Sequence, residues 1–227
     1  MQRRRFSSVT LAGLGLSLGS PMVQAFSLGD ADASAGVKAA LERGAVAAVA
    51  LLGRTDGFLG NALVRIALPG YLNDGVRVLK ALGQQKRVDE LLTAMNRAAE
   101  SAVPQAQDLL VSTVRNLSVQ DAVRIVKGGD TSVTDFFAGR TRSPLSERFL
   151  PIVTQATERV SLAEKYNSVA GKASSLGLVK KEDANIQSYV TRKALDGLYL
   201  MIGEEEKKIR RDPVGTGSDI LRKVFGR

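Results

Sequence analysis

The residues best placed to do chemistry are Asn96 and Glu100, which lie four positions apart in the segment NRAAE. If this segment is helical, Asn96 falls on the apolar face with Leu92 and Ala99, and Glu100 lies at the edge of that face. Burying an unpaired amide or carboxylate costs a few kcal/mol, so both side chains need partners. One interpretation is a carboxylate in a ligand pocket or cation site. The interpretation that we favour is a polar pair that joins two packed helices.

A second carboxylate, Glu205, falls on the apolar stripe of the last long helical segment, seven residues after Leu198. Together with Glu100 it could contribute to an all-oxygen site for Mg²⁺ or Ca²⁺. Carboxylate metal sites inside helical bundles use Glu-x-x-His motifs, and this chain has no His. We therefore expect neither a metal nor another cofactor, and we interpret Glu205 as part of a solvated helix end.

The composition excludes the commonest catalytic centres. Without Cys, the chain has no disulfide, no thiolate nucleophile and no lipidated amino-terminal cysteine. Without His, it has no Ser-His-Asp or Cys-His centre and no His-ligated metal. Acid–base chemistry is left to Asp, Glu, Lys, Tyr and Arg. We therefore expect a protein that is not an enzyme, and a carboxylate-based enzyme is the alternative.

Residues 1–25 have the three parts of a signal peptide. Arg3, Arg4 and Arg5 form a basic region, and residues 9–19 form an apolar region that is too short to span the ~30 Å hydrocarbon core of a bilayer. Small residues, Val23 and Ala25, then stand at the positions that signal peptidases select. The pattern predicts export to the periplasm after cleavage before residue 26. The RRRF segment at 3–6 fits a twin-arginine signal, with a general secretory signal as the alternative.

The remaining sequence, residues 26–227, has the 3.6-residue periodicity of α-helices and no sustained alternation with period two. It predicts a single all-α domain of about eight or nine helices. Ser34 is the expected cap of a first helix that runs to about residue 52. The last long helix is expected over residues 183–211, and a short terminal helix over residues 218–225.

Two prolines, Pro104 and Pro151, interrupt segments that otherwise have helical periodicity. A proline inside a helix removes a backbone hydrogen bond and bends the helix, and helices that diverge at a bend leave a groove. We expect a ligand pocket there, lined by apolar residues on both sides of the bend: Ala102, Ala106, Leu110, Leu150 and Val153. The alternative is that each proline begins a new helix around a filled core, as Pro144 is expected to do.

The charge and hydropathy of the chain limit its partners. The net charge of +9 permits contact with an anionic membrane surface. After the signal peptide, no stretch is long enough for a transmembrane span, because the longest apolar run there covers only residues 45–52. Aromatic residues do not interleave the basic ones as in single-strand binders, so nucleic acid is not an expected partner. The partners that we still expect are an envelope protein or an apolar small molecule.

Several segments together resemble a family of bacterial exported proteins that is known only as a domain of unknown function. The segments, in order, are DGFL (56–59), IALP (66–69), NRAAE (96–100), QDA (120–122), FLPIV (149–153), YVTRKALDG (189–197), EEEKKIR (204–210) and LRKVFG (221–226). The resemblance covers residues 33–226. It implies a helical fold and an envelope location, and it implies no activity, cofactor or catalytic residue.

The sequence thus predicts an exported helical protein that binds a partner protein or an apolar ligand without catalysing a reaction. Asn96, Glu100 and the apolar residues near the two prolines are the candidate contacts. One alternative is a carboxylate-based enzyme or divalent-cation-binding protein that uses Glu100 and Glu205. Another is a purely structural or assembly role.

Overall fold

The computed structural model describes residues 30–129, 132–177, 179–180 and 183–212. Within these ranges the chain is helical and contains no strand, which confirms the predicted all-α fold. The described residues form eight α-helices: α1 (Asp30–Leu52), α2 (Asn73–Ala81), α3 (Gln85–Ala102), α4 (Gln107–Arg115), α5 (Val119–Lys127), α6 (Ser132–Thr157), α7 (Ser161–Ser175) and α8 (Ile186–Arg211). None of these helices is both long enough and apolar enough to cross a bilayer. The predicted signal peptide and the predicted helix at 218–225 lie outside the described residues.

Helix α8 lies at the centre of the fold and packs against α6, α1 and α3. Glycines allow the close approach, since a Cβ atom on Gly197 would lie 2.8 Å from the ring of Phe58. Asn185 caps α8 by accepting a hydrogen bond from the N–H of Ser188, so the helix begins three residues after the predicted start. The buried stripe of α8 follows the predicted helical spacing and comprises Val190, Ala194, Leu198, Met201 and Ile202.

Helix α1 runs antiparallel to α8. Gly44 faces the backbone of Ile202, whereas Phe58, which follows the end of α1, faces Gly197. The prediction that Ser34 caps this helix was wrong, because α1 begins at Asp30 and Ser34 is buried inside it. The four residues before Ser34 are alternating Asp and Ala, and acidic residues and alanine both favour a first helical turn. The predicted apolar stripe is buried at Val37, Leu41, Ala45, Ala48 and Leu52.

The prolines have two different effects on the helices. Pro104 lies in the 3-10 turn Val103–Ala106, which separates α3 from α4, so here two helices abut as one of the alternatives predicted. Pro144 and Pro151, by contrast, both lie inside α6, which continues from Ser132 to Thr157. The expectation that Pro144 begins a helix was therefore wrong.

Packing explains why α6 tolerates two prolines. Its buried residues recur at every fourth position: Val133, Phe137, Thr141, Leu145, Phe149, Val153 and Thr157. Each step of four residues turns about 40° around a helix, so the stripe winds around α6 and meets several neighbours along its length. These neighbours are α8, α3, α4 and α5. Burial on that scale outweighs the roughly 3 kcal/mol that an interior proline costs.

Candidate functional site

Asn96 is fully buried on α3 and pairs with the connector formed by residues 53–69. The N–H of Ile66 donates to Asn96 Oδ1 at 2.8 Å, and Asn96 Nδ2 donates to the carbonyl oxygen of Ile66 at 2.9 Å. A second hydrogen bond from Nδ2, 2.8 Å long, reaches the carbonyl oxygen of Leu92. The amide therefore pairs with both backbone groups of one connector residue, as a neighbouring strand would.

Glu100 binds the same connector one helical turn later. Its side chain is buried, and Oε1 accepts hydrogen bonds of 3.0 Å from the backbone N–H groups of Phe58 and Leu59. Arg97 donates to Oε2 at 2.6 Å and also to Asp56 at 2.8 Å. These hydrogen bonds, first that to Glu100 and then that to Asp56, raise the pKa of Arg97 above its ordinary value.

The polar pair thus has the structural role that we favoured, with one correction. We expected Asn96 and Glu100 to join two helices, but they join α3 to an irregular connector. The reason is that a chain segment outside regular structure has unpaired N–H groups, which need side-chain acceptors when they are buried.

The weaker alternative of a metal site at Glu100 and Glu205 lacks support in this geometry. Glu205 lies on α8 beside Gly44 and accepts a 2.6 Å hydrogen bond from Lys208, whereas Glu100 is engaged by the connector and by Arg97. Among the described residues, no three acidic side chains gather in a group that could hold a metal ion.

The residues expected to line a pocket near the prolines lie elsewhere. Ala102, Ala106, Leu110 and Val153 have no exposed surface and form part of the core, while Leu150 is 40% exposed on the outer side of α6. None of the five lines the apolar groove described next. The structure therefore gives no support to a pocket at these positions, because the packing of α6 against α3 and α4 buries four of them in the core.

An apolar groove of about 370 Å³ lies between α2 and α7, with α3 beneath it. Leu91 of α3 contributes to the floor. One wall is formed by α2 and the residues before it: Leu68, Leu72, Gly75, Val76, Val78 and Leu79. The other wall is formed by α7: Leu162, Lys165, Tyr166 and Val169.

The groove exists because α2 is amphipathic but buries none of its residues. Leu72, Val76 and Leu79 recur at helical spacing and point the apolar side of α2 toward α3 and α7. Both α2 and α7 contact α3, yet Val78 remains 58% exposed and Val169 52% exposed. Apolar surface on facing walls that is left open to solvent is typical of a binding groove.

A hydrogen bond connects the two walls. The Tyr71 hydroxyl, just before α2, donates to the hydroxyl of Tyr166 on α7 at 3.1 Å. The Tyr166 hydroxyl in turn donates to the carbonyl oxygen of Asp183 at 3.4 Å. Burial raises the pKa of Tyr166 far above its usual range, so this hydroxyl remains protonated and neutral.

Lys165 is the only charged side chain among the described residues that line the groove. It is exposed. Sequence reasoning missed this site, although Leu72, Val76 and Leu79 already showed an apolar stripe in the sequence. The opposite wall lies about 90 residues further along the chain, and helical periodicity does not say which helix faces which.

The comparisons with known proteins give a family and no function. No curated protein and no solved structure matches the chain. A family model matches residues 27–226, which is nearly the whole sequence, and it confirms the resemblance to a domain of unknown function. The chain belongs to the family described as "Protein of unknown function (DUF4197)".

Proposed function

We propose that this protein is a non-enzymatic binding module that holds an apolar ligand in the groove between α2, α3 and α7. The observation that carries the proposal is a groove of about 370 Å³ lined almost entirely by aliphatic side chains. Small-molecule sites are typically concave, mostly apolar and about 300–1,000 Å³ in volume. A purely structural surface would gain stability by closing α2 onto α7 and burying Val78 and Val169.

The chemistry of the lining supports binding rather than catalysis. Lys165 and Tyr166 are the only titratable side chains among the described lining residues. Tyr166 is held neutral by burial, and neither a carboxylate nor a histidine stands beside Lys165 in the lining. Without a neighbouring carboxylate or histidine, the described lining lacks the usual partner groups of general acid–base catalysis.

A neutral fluorescent probe tests the groove. N-phenyl-1-naphthylamine should bind the full chain with a rise in fluorescence, and Val169→Arg should weaken that binding at least tenfold, because a guanidinium then projects into the apolar wall. Val119→Arg is the matched control, since Val119 is also a helical valine and is 46% exposed, but it lies on α5. Thermal unfolding of both variants would establish that they fold. Equal probe binding by the two variants would contradict the proposal.

We also propose that the protein is exported to the periplasm and functions there. The support is the order of basic, apolar and small residues in positions 1–25, which lie outside the described residues. Expression with the native amino terminus and sequencing of the periplasmic product should give a protein that begins at Phe26. A cytoplasmic product that retains Arg3, Arg4 and Arg5 would refute this proposal.

A further inference from the structure

The occupant of the groove is constrained first by its width. The hydrogen bond between Tyr71 and Tyr166 joins the segment that leads into α2 to the middle of α7. An α-helix with its side chains is about 10–12 Å across, so a partner helix could lie between these walls only after that bond had broken. A single methylene chain is far narrower and does not require that hydrogen bond to break.

The volume gives the same preference. About 370 Å³ lies near the lower end of the range for small-molecule sites, which favours one alkyl chain over a lipid with two chains. The walls also offer mainly aliphatic surface, with Tyr166 as the one aromatic side chain in the lining. On such a surface, the affinity of a ligand depends mainly on the apolar area that it buries and little on the stacking of flat rings.

The two terminal segments outside the described residues attach at the end of the fold away from the groove. They continue from Asp30 and Asp212, which lie at the same end of the antiparallel pair α1 and α8. The groove lies toward the opposite end of α8, where Asn167 of α7 accepts a 2.7 Å hydrogen bond from the N–H of Ile186. Helix α8 is about 39 Å long. We therefore argue for an external ligand, and a groove already filled by a terminal segment of the same chain would show as a failure of the full chain to bind the probe.

Charge then specifies one end of the ligand. Lys165 makes no ion pair with another described residue, and no carboxylate is among the described residues that line the groove. Helix α7 also carries a second lysine, Lys172, and a single acid, Glu164. An unpaired ammonium at the rim of an apolar groove favours a ligand with one anionic group at the end of its apolar part.

Resting on the proposed function, we infer that the ligand is a long-chain fatty acid anion. Its alkyl chain lies between Val76 and Val169 over Leu91, and its carboxylate pairs with Lys165 at the rim. A carboxylate suits a single lysine better than a phosphate dianion does, since the dianion usually takes several cationic donors.

Displacement of the fluorescent probe by three C16 amphiphiles tests the inference. Hexadecanoate, hexadecanol and hexadecyltrimethylammonium share one chain and differ in head-group charge, and each is used below its micellar concentration. We expect the full chain to bind hexadecanoate most tightly and the ammonium compound least tightly. Added salt should weaken the binding of hexadecanoate and leave that of hexadecanol unchanged.

Variants of Lys165 identify the group responsible. Lys165→Gln should raise the Kd for hexadecanoate about two- to fivefold, the effect expected of one exposed ion pair, and leave hexadecanol unaffected. Lys165→Glu should reverse the preference toward the ammonium amphiphile. Lys127→Gln, which changes the net charge equally on α5, should alter neither affinity. Because Lys165 is exposed, melting temperatures should change little and so report intact folding.

The outcomes separate this inference from the proposed function. If the probe does not bind, or if Val169→Arg and Val119→Arg bind it equally, the proposed function fails. If the probe binds but all three amphiphiles compete equally, or if Lys165→Gln leaves the Kd for hexadecanoate unchanged, the groove takes an apolar ligand and the inference of an anionic head is overturned. Displacement by an amphipathic helical peptide but by no C16 amphiphile would likewise overturn the fatty acid anion.

Discussion

At the scale of single residues, Asn96 and Glu100 form the hydrogen bonds to the backbone of the connector that a neighbouring strand would form in a sheet. The connector at residues 53–69 brings Phe58 and Ile66 into the core, and their backbone N–H groups must be paired there. Two side chains of α3 supply the acceptors, with all hydrogen bonds at 2.8–3.0 Å. The carboxylate of Glu100 is therefore buried where the connector needs a hydrogen-bond acceptor.

Removing Glu100 should destabilise the fold. Glu100→Ala leaves the buried N–H group of Phe58 and the partly buried N–H group of Leu59 without their acceptor, and the loss at Phe58 alone should cost about 1–3 kcal/mol in the free energy of unfolding. Glu90→Ala is the matched control, since Glu90 lies on the same helix and is exposed. Urea denaturation measures both. A loss for Glu100→Ala no larger than for Glu90→Ala would contradict the assigned role.

At the scale of elements, the two segments that contain prolines show that a helix ends or continues at a proline depending on the residues that pack around it. Pro104 stands at the first turn of a 3-10 segment, where a missing N–H costs little. Pro151 lies deep inside α6, where it leaves the carbonyl group of Glu147 without its helical donor. Helix α6 persists because its winding apolar stripe is buried against several helices at once.

Restoring the missing hydrogen bond in α6 should therefore stabilise the protein. Pro151 is exposed, so Pro151→Ala removes little packing, supplies the N–H group and raises the free energy of unfolding by about 1–3 kcal/mol. Pro104→Ala should give no gain, because Pro104 occupies a first-turn position and its ring lies against Gly53. Thermal and urea unfolding measure both changes. Equal effects at the two sites would show that the interior position of Pro151 carries no penalty.

At the scale of the whole molecule, hydrogen bonds from tyrosine hydroxyls connect segments that are distant in the sequence and lie near the groove. The Tyr189 hydroxyl donates to the carbonyl oxygen of Ala67 at 2.8 Å, and the rings of Tyr189 and Tyr166 lie 6.3 Å apart. Burial raises the pKa of Tyr189 to about 12, and it raises that of Tyr166 further still. Both groups therefore stay protonated in the folded protein at pH values where they ionise in the unfolded chain.

The stability of the protein should consequently fall as the pH rises above about 10. Between the unfolded pKa near 10 and the folded value near 12, the unfolded state binds fewer protons than the folded state, so the free energy of unfolding decreases with pH. Below pH 10 this contribution is fully present. Tyr189→Phe removes one of the two groups and should make the decline shallower over pH 9.5–11.5 in urea denaturation. A decline of unchanged steepness would mean that Tyr189 does not contribute to it.

The spacing of apolar residues in the sequence was sufficient to predict those features of this protein that depend on helical geometry. The all-α fold, the buried stripes of α1 and α8, and the inward positions of Asn96 and Glu100 all follow from a repeat of 3.6 residues, which places each side chain on a known face. The pattern also showed that a buried amide and carboxylate must be paired, since the cost of burial is the same wherever the partner lies.

Only the tertiary structure determined which segments these side chains and helices contact. Glu100 binds residues about 40 positions earlier, α6 runs through two prolines, and the groove joins the wall around Val76 to the wall around Val169. Each of these outcomes depends on contacts between segments that are distant in the sequence. Helical periodicity identifies the face that a helix buries, but the surface it packs against is selected by the free energy of the whole assembled core.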